Sequence, residues 1–546
     1  MSQSTAPVAE QTTTDRLNLT VERIPFEQIP QFSQRDRAHV ARDERLRAFL
    51  KYEVDPDSFA QVIADKAADE TDRQLLVNVL REQYGDSATE ATAKNIESLL
   101  SEKTFTVTTA HQPSLFTGPL YYVYKIVSTL NLADRLRERY SDYEFVPIFI
   151  TGGEDHDFEE INHLHIFGKT VSWESGETGP VGRMSTRTLE APLAQLKDIL
   201  GDSDHAKDIY SLIEETHRNS TTYGEAAVKL AQRLFGAYGL VVLNMDHPKL
   251  KRRFAPYIER EILEQTSAPL VEQTISELGV AGFGAQASPR EINFFYLQEQ
   301  SRERIVLEDS VYKVLNSDLQ FSEKELREEI RQHPERFSPN VVMRPLYEEV
   351  ILPNLAYIGG GGEIAYWTER KRQFEEFGVN FPMLIRRNSA LWVDKTSARK
   401  LEKLGLTVAD LLDDEDTIIK KWLRNNADEE LNLKQEKREL KELFDRVTER
   451  MRSVDPTLGK AAKAEAVSQL KALSQLEGRL IRAEKQKHET AVNQIRSVRE
   501  KLFPGNGMQE RYDNFLQFYL QYGRDYFSVL RESFDPLVGE LVVISV

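Results

Sequence analysis

Thr109-Ala110-His111-Gln112-Pro113-Ser114-Leu115-Phe116-Thr117-Gly118-Pro119-Leu120 and Thr151-Gly152-Gly153-Glu154-Asp155-His156-Asp157-Phe158-Glu159-Glu160-Ile161-Asn162 are the two stretches that decide the fold. Each polar loop follows a run rich in β-branched and aromatic residues, 105–109 and 145–151. Between them, residues 121–140 carry Ile126, Leu130, Ala133 and Leu136 at helical spacing. Strand, loop, helix, strand, loop is a βαβ unit, and its crossover makes the sheet parallel. Ligands of such sheets sit beyond the carboxyl ends of the strands, where both loops fall.

The residue types in the loops point to chemistry. His111 and Gln112 leave a strand into a turn rich in Pro, Ser, Thr and Gly. Gly118 stops the turn, and Pro119 suits the first position of the next helix. Free amides there, with the Ser114 and Thr117 hydroxyls, offer an anion site. In the second loop Glu154, Asp155, His156 and Asp157 stand in a row, which is costly to desolvate unless they are used or solvated. Gly153 permits close backbone approach. Asp155 can hold an ammonium group and His156 can take its proton. Asp157 reads as a helix cap as well as a substrate contact, with Asn162 closing the loop. His156, His163 and His165 share no face of a single helix or strand, so no metal ligand set is identified.

Further candidates lie downstream. Residues 171–230 read as an insertion, in which Arg183 is either an anion contact or a surface ion-pair partner. A buried strand at 239–244 leads to Asp246-His247, repeating the pattern of charge at a strand end. A strand at 355–358 runs into Gly359-Gly360-Gly361-Gly362-Glu363 and a helix over 364–377. Glycines between a strand and a helix make an amide-lined nucleotide cradle, with Glu363, Tyr366 and Trp367 beside it or packed in the core. A strand at 381–385 ends in Arg386-Arg387-Asn388-Ser389, where Arg386 and Asn388 suit a phosphate or carboxylate, or else capping and surface pairing.

Composition sets the outer limits. A chain of 546 residues, 40% hydrophobic, accommodates about two to four domains. A net charge of −17 argues against a dedicated nucleic-acid binder but leaves room for a local basic pocket. There is no cysteine, which removes disulfides, thiolate zinc sites and cysteine nucleophiles. It also avoids mixed disulfides with a thiol ligand, or simply reflects a lineage that uses little cysteine. No apolar run approaches the ~18 residues of a membrane span. The start of the chain has no basic segment and no apolar stretch of a signal peptide, so the expected location is the cytoplasm, with no membrane partner.

The expected domain plan has four parts. Residues 1–20 are rich in Ser and Thr and read as disordered. A Rossmann-like core with a helical preface and inserted segments spans 21–393. From 394 to 507 the composition turns to Lys, Glu, Leu and Arg, and Leu433, Leu440, Val447 and Val454 recur every seven residues. Asp455-Pro456 breaks this run before a second one over 458–502, which makes an antiparallel helical hairpin. Its seam predicts pairing with a second copy. A helix over 510–533 and a strand over 541–546 return to the core.

The segments 111–120 and 153–162 resemble the signature segments of the cysteine-adding enzyme family of bacillithiol biosynthesis. Arg344-Pro345-Leu346, Leu352-Pro353 and the stretches 359–367, 386–391 and 502–514 resemble it too. The resemblance implies an α/β fold with a Rossmann-like parallel sheet related to class I synthetases and nucleotidylyltransferases, inserted helical segments and a coiled coil. It implies a ligase that joins cysteine to glucosaminyl malate, with ATP or ADP, and Mg²⁺ with the nucleotide, as cofactor. By that analogy His111 would stabilise phosphate charge, although this chain has His-Gln-Pro-Ser in place of the synthetase His-x-Gly-His and shows no Lys-Met-Ser-Lys-Ser-like loop. Two other classes are carried alongside it: a nucleotide-binding scaffold that recruits pathway enzymes, and a metal-dependent hydrolase of a thiol conjugate.

Overall fold

The computed structural model describes residues 12–427 and 431–546. Five parallel strands form the central sheet, in the order Met383–Arg386, Asn354–Gly359, Thr104–His111, Glu144–Thr151, Val241–Asn244. Counted along the chain, the order is that of a Rossmann half-sheet with two strands added on the other side. It reverses between Thr104–His111 and Asn354–Gly359. The register aligns the carboxyl ends: His111 pairs with Thr151, Thr151 with Asn244 and Gly359 with Arg386.

The strands are apolar almost throughout because both faces are covered. Alternation sends Phe105, Val107, Ala356, Ile358 and Ile385 into one core, with Leu132, Ala133 and Leu136 of the helix Tyr121–Arg139. Val146, Ile148, Ile150, Val241 and Leu243 enter the other, which also holds Phe254, Tyr347 and Trp367. A second sheet is antiparallel, with the order Gln320–Phe321, Val311–Val314, Arg302–Glu308, Phe294–Leu297, Phe337–Pro339.

Several local expectations are altered by backbone geometry. The helix that Asp157 is expected to cap is one turn, Phe158–Ile161, and the chain then enters a hairpin of His163–Ile166 and Lys169–Ser172. The single C-terminal helix is two, Leu516–Tyr522 and Asp525–Ser533, because Gly523 turns the chain at φ 57°. The expectation of disorder over 1–20 falls outside the described residues up to residue 11. Beyond that, Thr13–Arg16 form a helical turn whose Thr13 and Thr14 amides donate to Glu532 at 2.8 and 3.0 Å.

The contacts divide the described chain into two compact units, one formed by 12–391 with 508–544 and the other by 392–507 with 545–546. In the second, Lys434–Arg452 and Pro456–Lys487 pack as an antiparallel hairpin across a turn capped by Asp455. The second run does not continue to 502: it stops at His488 and resumes as Glu489–Leu502. Along the hairpin Leu443, Val454 and Val467 remain 47%, 79% and 68% exposed.

The turn after the first core strand is the most contorted segment near the sheet. Phe116, Thr117 and Gly118 have φ of 44°, 77° and 62° in succession, although all but the glycine strongly disfavour that region. They are locked from the far end of the same unit. The Asn514 amide donates to the carbonyls of Phe116 and Gly118 at 3.2 and 2.5 Å, and the Leu120 amide donates to the Asp513 carbonyl at 2.8 Å. Replacing Asn514 with Ala strips two buried carbonyls of their donor and is expected to lower stability by about 1–3 kcal/mol. Urea unfolding of the variant beside the parent measures it; equal midpoints would mean that the turn holds itself.

Candidate active site

A cleft of ≈ 470 Å³ opens beyond the carboxyl ends of the strands, lined by residues from both sides of the order reversal. His111, at the end of Thr104–His111, is at its centre. Its Nδ1 lies 2.8 Å from the Gln112 carbonyl, so Nδ1 carries the hydrogen and donates it. Its Nε2, 3.2 Å from the Tyr121 hydroxyl, is then an acceptor. Burial, followed by the nearby Lys125 ammonium, pushes the imidazole down to about 4, so it is neutral at pH 7.

The strand order sorts charge across the cleft. Beside Asn354–Gly359 and Met383–Arg386 stand Lys125, Arg344 and Arg387, and Arg511 lines the cleft from the segment whose Tyr512 stacks on His165. The first three are each paired: Lys125 with Glu363 at 2.6 Å, Arg344 with Glu348 at 2.9 Å, Arg387 with Glu510 at 2.7 Å. Arg511 has no ion pair among the described residues. Burial opposes the Glu363 charge, but Lys125, the Tyr357 hydroxyl and the Gly360 amide overcome it and hold the carboxyl down at about 2.

On the side of Glu144–Thr151 and Val241–Asn244 the lining is acidic. Glu154 pairs with Lys251 at 2.5 Å, Asp155 with Arg302 at 3.4 Å and Asp246 with Arg183 at 2.9 Å. Glu160 has no ion pair among the described residues, so here four carboxylates meet three cations. Burial, with Asp157 and Asp155 beside it, raises the Glu160 carboxyl above its ordinary range. Asp155 is oriented by the Gln112 amide at 2.5 Å and by the His156 backbone amide at 2.8 Å.

Of the residues singled out in the sequence, His111, Gln112, Gly153, Asp155, Asp246, Gly360, Gly362, Glu363 and Tyr366 line the cleft. His156 stands just outside, its Nδ1 accepting from Arg302 at 3.1 Å. Arg183 acts on the cleft through Asp246. Ser114, Thr117 and Gly118 belong to the contorted turn; a Cβ on Gly118 would meet that of Ser114 at 2.6 Å. Asp157 caps Phe158–Ile161, and Asn162 pairs with His163 at 3.0 Å. Arg386 is buried against Asp36 at 2.9 Å, and Asn388 donates to the Asp535 carbonyl at 2.8 Å. Trp367 is core, stacked at a tilt on Tyr357 with ring centres 4.5 Å apart.

The glycine run does not form an open phosphate cradle. Gly359 ends a strand and Gly361 begins the helix Gly361–Thr368. The Gly360 amide donates to the Glu363 carboxylate at 2.9 Å, so the chain's own anion occupies the position a phosphate would need. Among the described residues no group of three or more His, Asp or Glu is placed to hold a metal ion.

Lys125, Tyr121, Glu160, Arg302, Arg344, Arg387 and Arg511 also line the cleft and were not among the candidates from sequence. Lys125 is the least expected, a cation inside an apolar helical stretch, with its ammonium donating to the Ala110 carbonyl at 2.8 Å. The one available signal was that mismatch, since a lysine amid apolar positions is almost never buried without a partner.

Family models of the bacillithiol biosynthesis BshC N-terminal Rossmann-like domain and C-terminal coiled-coil domain match residues 19–388 and 390–546. A protein of Flavobacterium johnsoniae named "Putative cysteine ligase BshC" is 39% identical over 518 residues, 94% of this chain and 98% of its own. A Cytophaga hutchinsonii protein of the same name is 36% identical over 95% of this chain and 97% of its own. Another, from Bacillus cereus, is 30% identical over 88% and 92%. The chain belongs to the bacillithiol biosynthesis BshC family, and its relatives' names support a ligase.

The Lys125–Glu363 pair makes a pH-dependent prediction. Glu363→Gln leaves a buried ammonium unpaired and is expected to cost about 3–5 kcal/mol at pH 7. The folded carboxyl lies at about 2 against an ordinary 4.5, so the pair's contribution is full above 4.5 and fades as pH falls toward 2. Denaturant unfolding at pH 7 and pH 3 should show the gap between parent and variant narrowing. A gap independent of pH would contradict the assignment.

Proposed function

We propose that this family member forms the amide bond between the carboxyl group of cysteine and the amine of glucosaminyl malate, as the last step of bacillithiol biosynthesis, and does so in this cleft. The observation that supports this most directly is the sorting of charge along the sheet, with Lys125, Arg344 and Arg387 on one side and four carboxylates, Glu160 unpaired among the described residues, on the other. A substrate with an ammonium group at one end and a pair of carboxylates at the other matches that polarity. Lys125, Arg344 and Arg387 would receive the malate carboxylates, and Asp155 and Glu160 the sugar ammonium.

The amine must lose a proton before it attacks. Glu160, with its raised carboxyl and no paired cation among the described residues, is the proton acceptor we assign on the acidic side. Neutral His111, accepting at Nε2 from Tyr121, lies between the two sides and can hold a proton as the tetrahedral centre forms. An unactivated carboxylate does not condense with an amine in water. ATP with Mg²⁺ is the activator we propose for the cysteine carboxyl, although the glycine run does not fit its phosphates and no residue is assigned to it.

Purified protein given ATP, cysteine and glucosaminyl malate is expected to yield the cysteinyl amide, followed by mass spectrometry. Pyrophosphate exchange that depends on cysteine would mark an adenylate route, and release of ADP with phosphate an acyl-phosphate route. Glu160→Gln should lower kcat by about 10²–10⁴-fold, the usual worth of a general base, with little change in melting temperature. Full activity in that variant would remove Glu160 from the mechanism, and no product under any nucleotide would remove the ligase reading.

We also propose that the chain self-associates through the hairpin, because a heptad seam with Leu443, Val447 and Val467 exposed is stabilised by covering it. Changing Leu443 and Val447 to Glu should convert a dimer to a monomer by light scattering with unchanged helicity. A parent that is already monomeric would reject the proposal.

A further inference from the structure

The chain leaves the first unit after Leu391 and comes back into it at Met508. The returning segment does not merely close the fold. Glu510, 1% exposed, accepts from Arg387 Nη2 at 2.7 Å and from Ser389 Oγ at 3.1 Å. Arg387 Nη1 is bound as well, donating to the Asn388 carbonyl at 2.8 Å and to Ser389 Oγ at 3.2 Å. With both terminal nitrogens anchored away, the guanidinium has one orientation. Its Nε, fully buried, finds no hydrogen-bond partner among the described residues.

A Cβ on Gly360 would lie 3.6 Å from Arg387 Nε, and Gly360, like Arg387, lines the cleft. Gly360 has φ −72°, so backbone conformation does not require glycine there. The Arg387 guanidinium also lies over the Tyr121 ring, 5.5 Å from its centre, and Tyr121 is the partner of His111. Next to Glu510 in sequence, Arg511 reaches the same cleft with no ion pair among the described residues.

A buried N–H donor without an acceptor is costly, and it is tolerated where a ligand supplies the acceptor. We propose that the segment returning after the helical hairpin completes the cleft. Glu510 is a positioning residue that aims Arg387 Nε at an anionic group of the substrate, and Arg511 is a second cation for the same group. This rests on the reading of the cleft as the substrate site and deepens it: the anion subsite is built jointly by the residues on either side of the hairpin in sequence. Burial opposes the charge on both groups, but the Glu510 carboxylate keeps Arg387 protonated and Arg387 in turn keeps Glu510 ionised.

Calorimetric titration of the full-length protein with L-malate and with glucosaminyl malate tests this. Glu510→Gln and Arg387→Gln should each weaken binding by about tenfold or more, and the double variant should be no weaker than the weaker single one, because the two act as one unit. The double variant also leaves no buried charge unpaired, so it guards against a fold lost in either single. Glu510→Asp, which keeps the charge, should recover most of the affinity. Arg511→Gln, at an exposed position, should weaken binding at an unchanged melting temperature.

Parental affinity in Glu510→Gln, or an equal loss from that change when Arg387 is already Gln, would overturn the positioning role. Parental affinity in Arg511→Gln would remove the second cation. A parent that binds malate but not glucosaminyl malate would reject the proposed substrate, while the same variants read on malate still decide the anion subsite. Binding of neither would reject both.

Discussion

Lys125 ties together the two halves of the sheet at the place where they part. Its ammonium donates to the carbonyl of Ala110 at the end of the first core strand and pairs with Glu363 on the helix that follows the fourth. Strands that neighbour each other but send their helices to opposite sides leave a crevice between their ends, and a crevice lined by bare amides and carbonyls is costly to keep dry. The buried ion pair meets that need: it satisfies a carbonyl, the Gly360 amide and the Tyr357 hydroxyl in one network. Breaking it removes more than a Coulomb attraction, since each partner is left buried and charged.

Behind this pair lies a second buried layer that fixes the cleft cations. Arg344 is held between Glu348 and the Tyr366 hydroxyl, 2.9 and 3.0 Å away, and Glu348 accepts from Thr108 at 2.5 Å. Thr108 is in the middle of the first strand, so the guanidinium is referenced to the sheet itself. Glu349, the next residue, faces the other way and meets Lys66 and Asn354; burial pushes its carboxyl up to about 8. Adjacent carboxylates on one helix thus serve different ends, one anchoring a cleft arginine and the other tying the helical preface to the core. Rigid support of this kind is what allows a few charges to discriminate between ligands.

Much of the frame was legible in the sequence. Runs of β-branched residues, each followed by polar residues and then a helical period, located all five core strands, because that alternation is dictated by burial on both faces. The two loops that open the cleft were also legible, since ionisable residues crowd at strand ends only where they are used or solvated. What sequence could not supply was pairing. Arg386 and Arg387 are adjacent and chemically alike, yet one is spent on Asp36 and the other faces the cleft, a distinction set by which way the chain turns at the strand end. Asp155 and Glu160 look equally eligible, and only the position of Arg302 shows which of them already has a cation. The glycine run looked like a phosphate cradle until Glu363, three residues after Gly360, proved to fill it.

The state of His111 bears on what the first loop can do. A histidine that cradles phosphate by charge must be protonated, whereas here burial and Lys125 hold it neutral well below neutral pH. Its one N–H is committed to the Gln112 carbonyl and its Nε2 lone pair accepts from Tyr121, so it offers the cleft no donor. The positive charge of the cleft is carried by Lys125, Arg344, Arg387 and Arg511 rather than by His111. A neutral imidazole between a cationic and an acidic side suits a reaction in which an amine sheds a proton next to a bound carboxylate. It brings no positive charge of its own to a leaving phosphate, because it is neutral at pH 7.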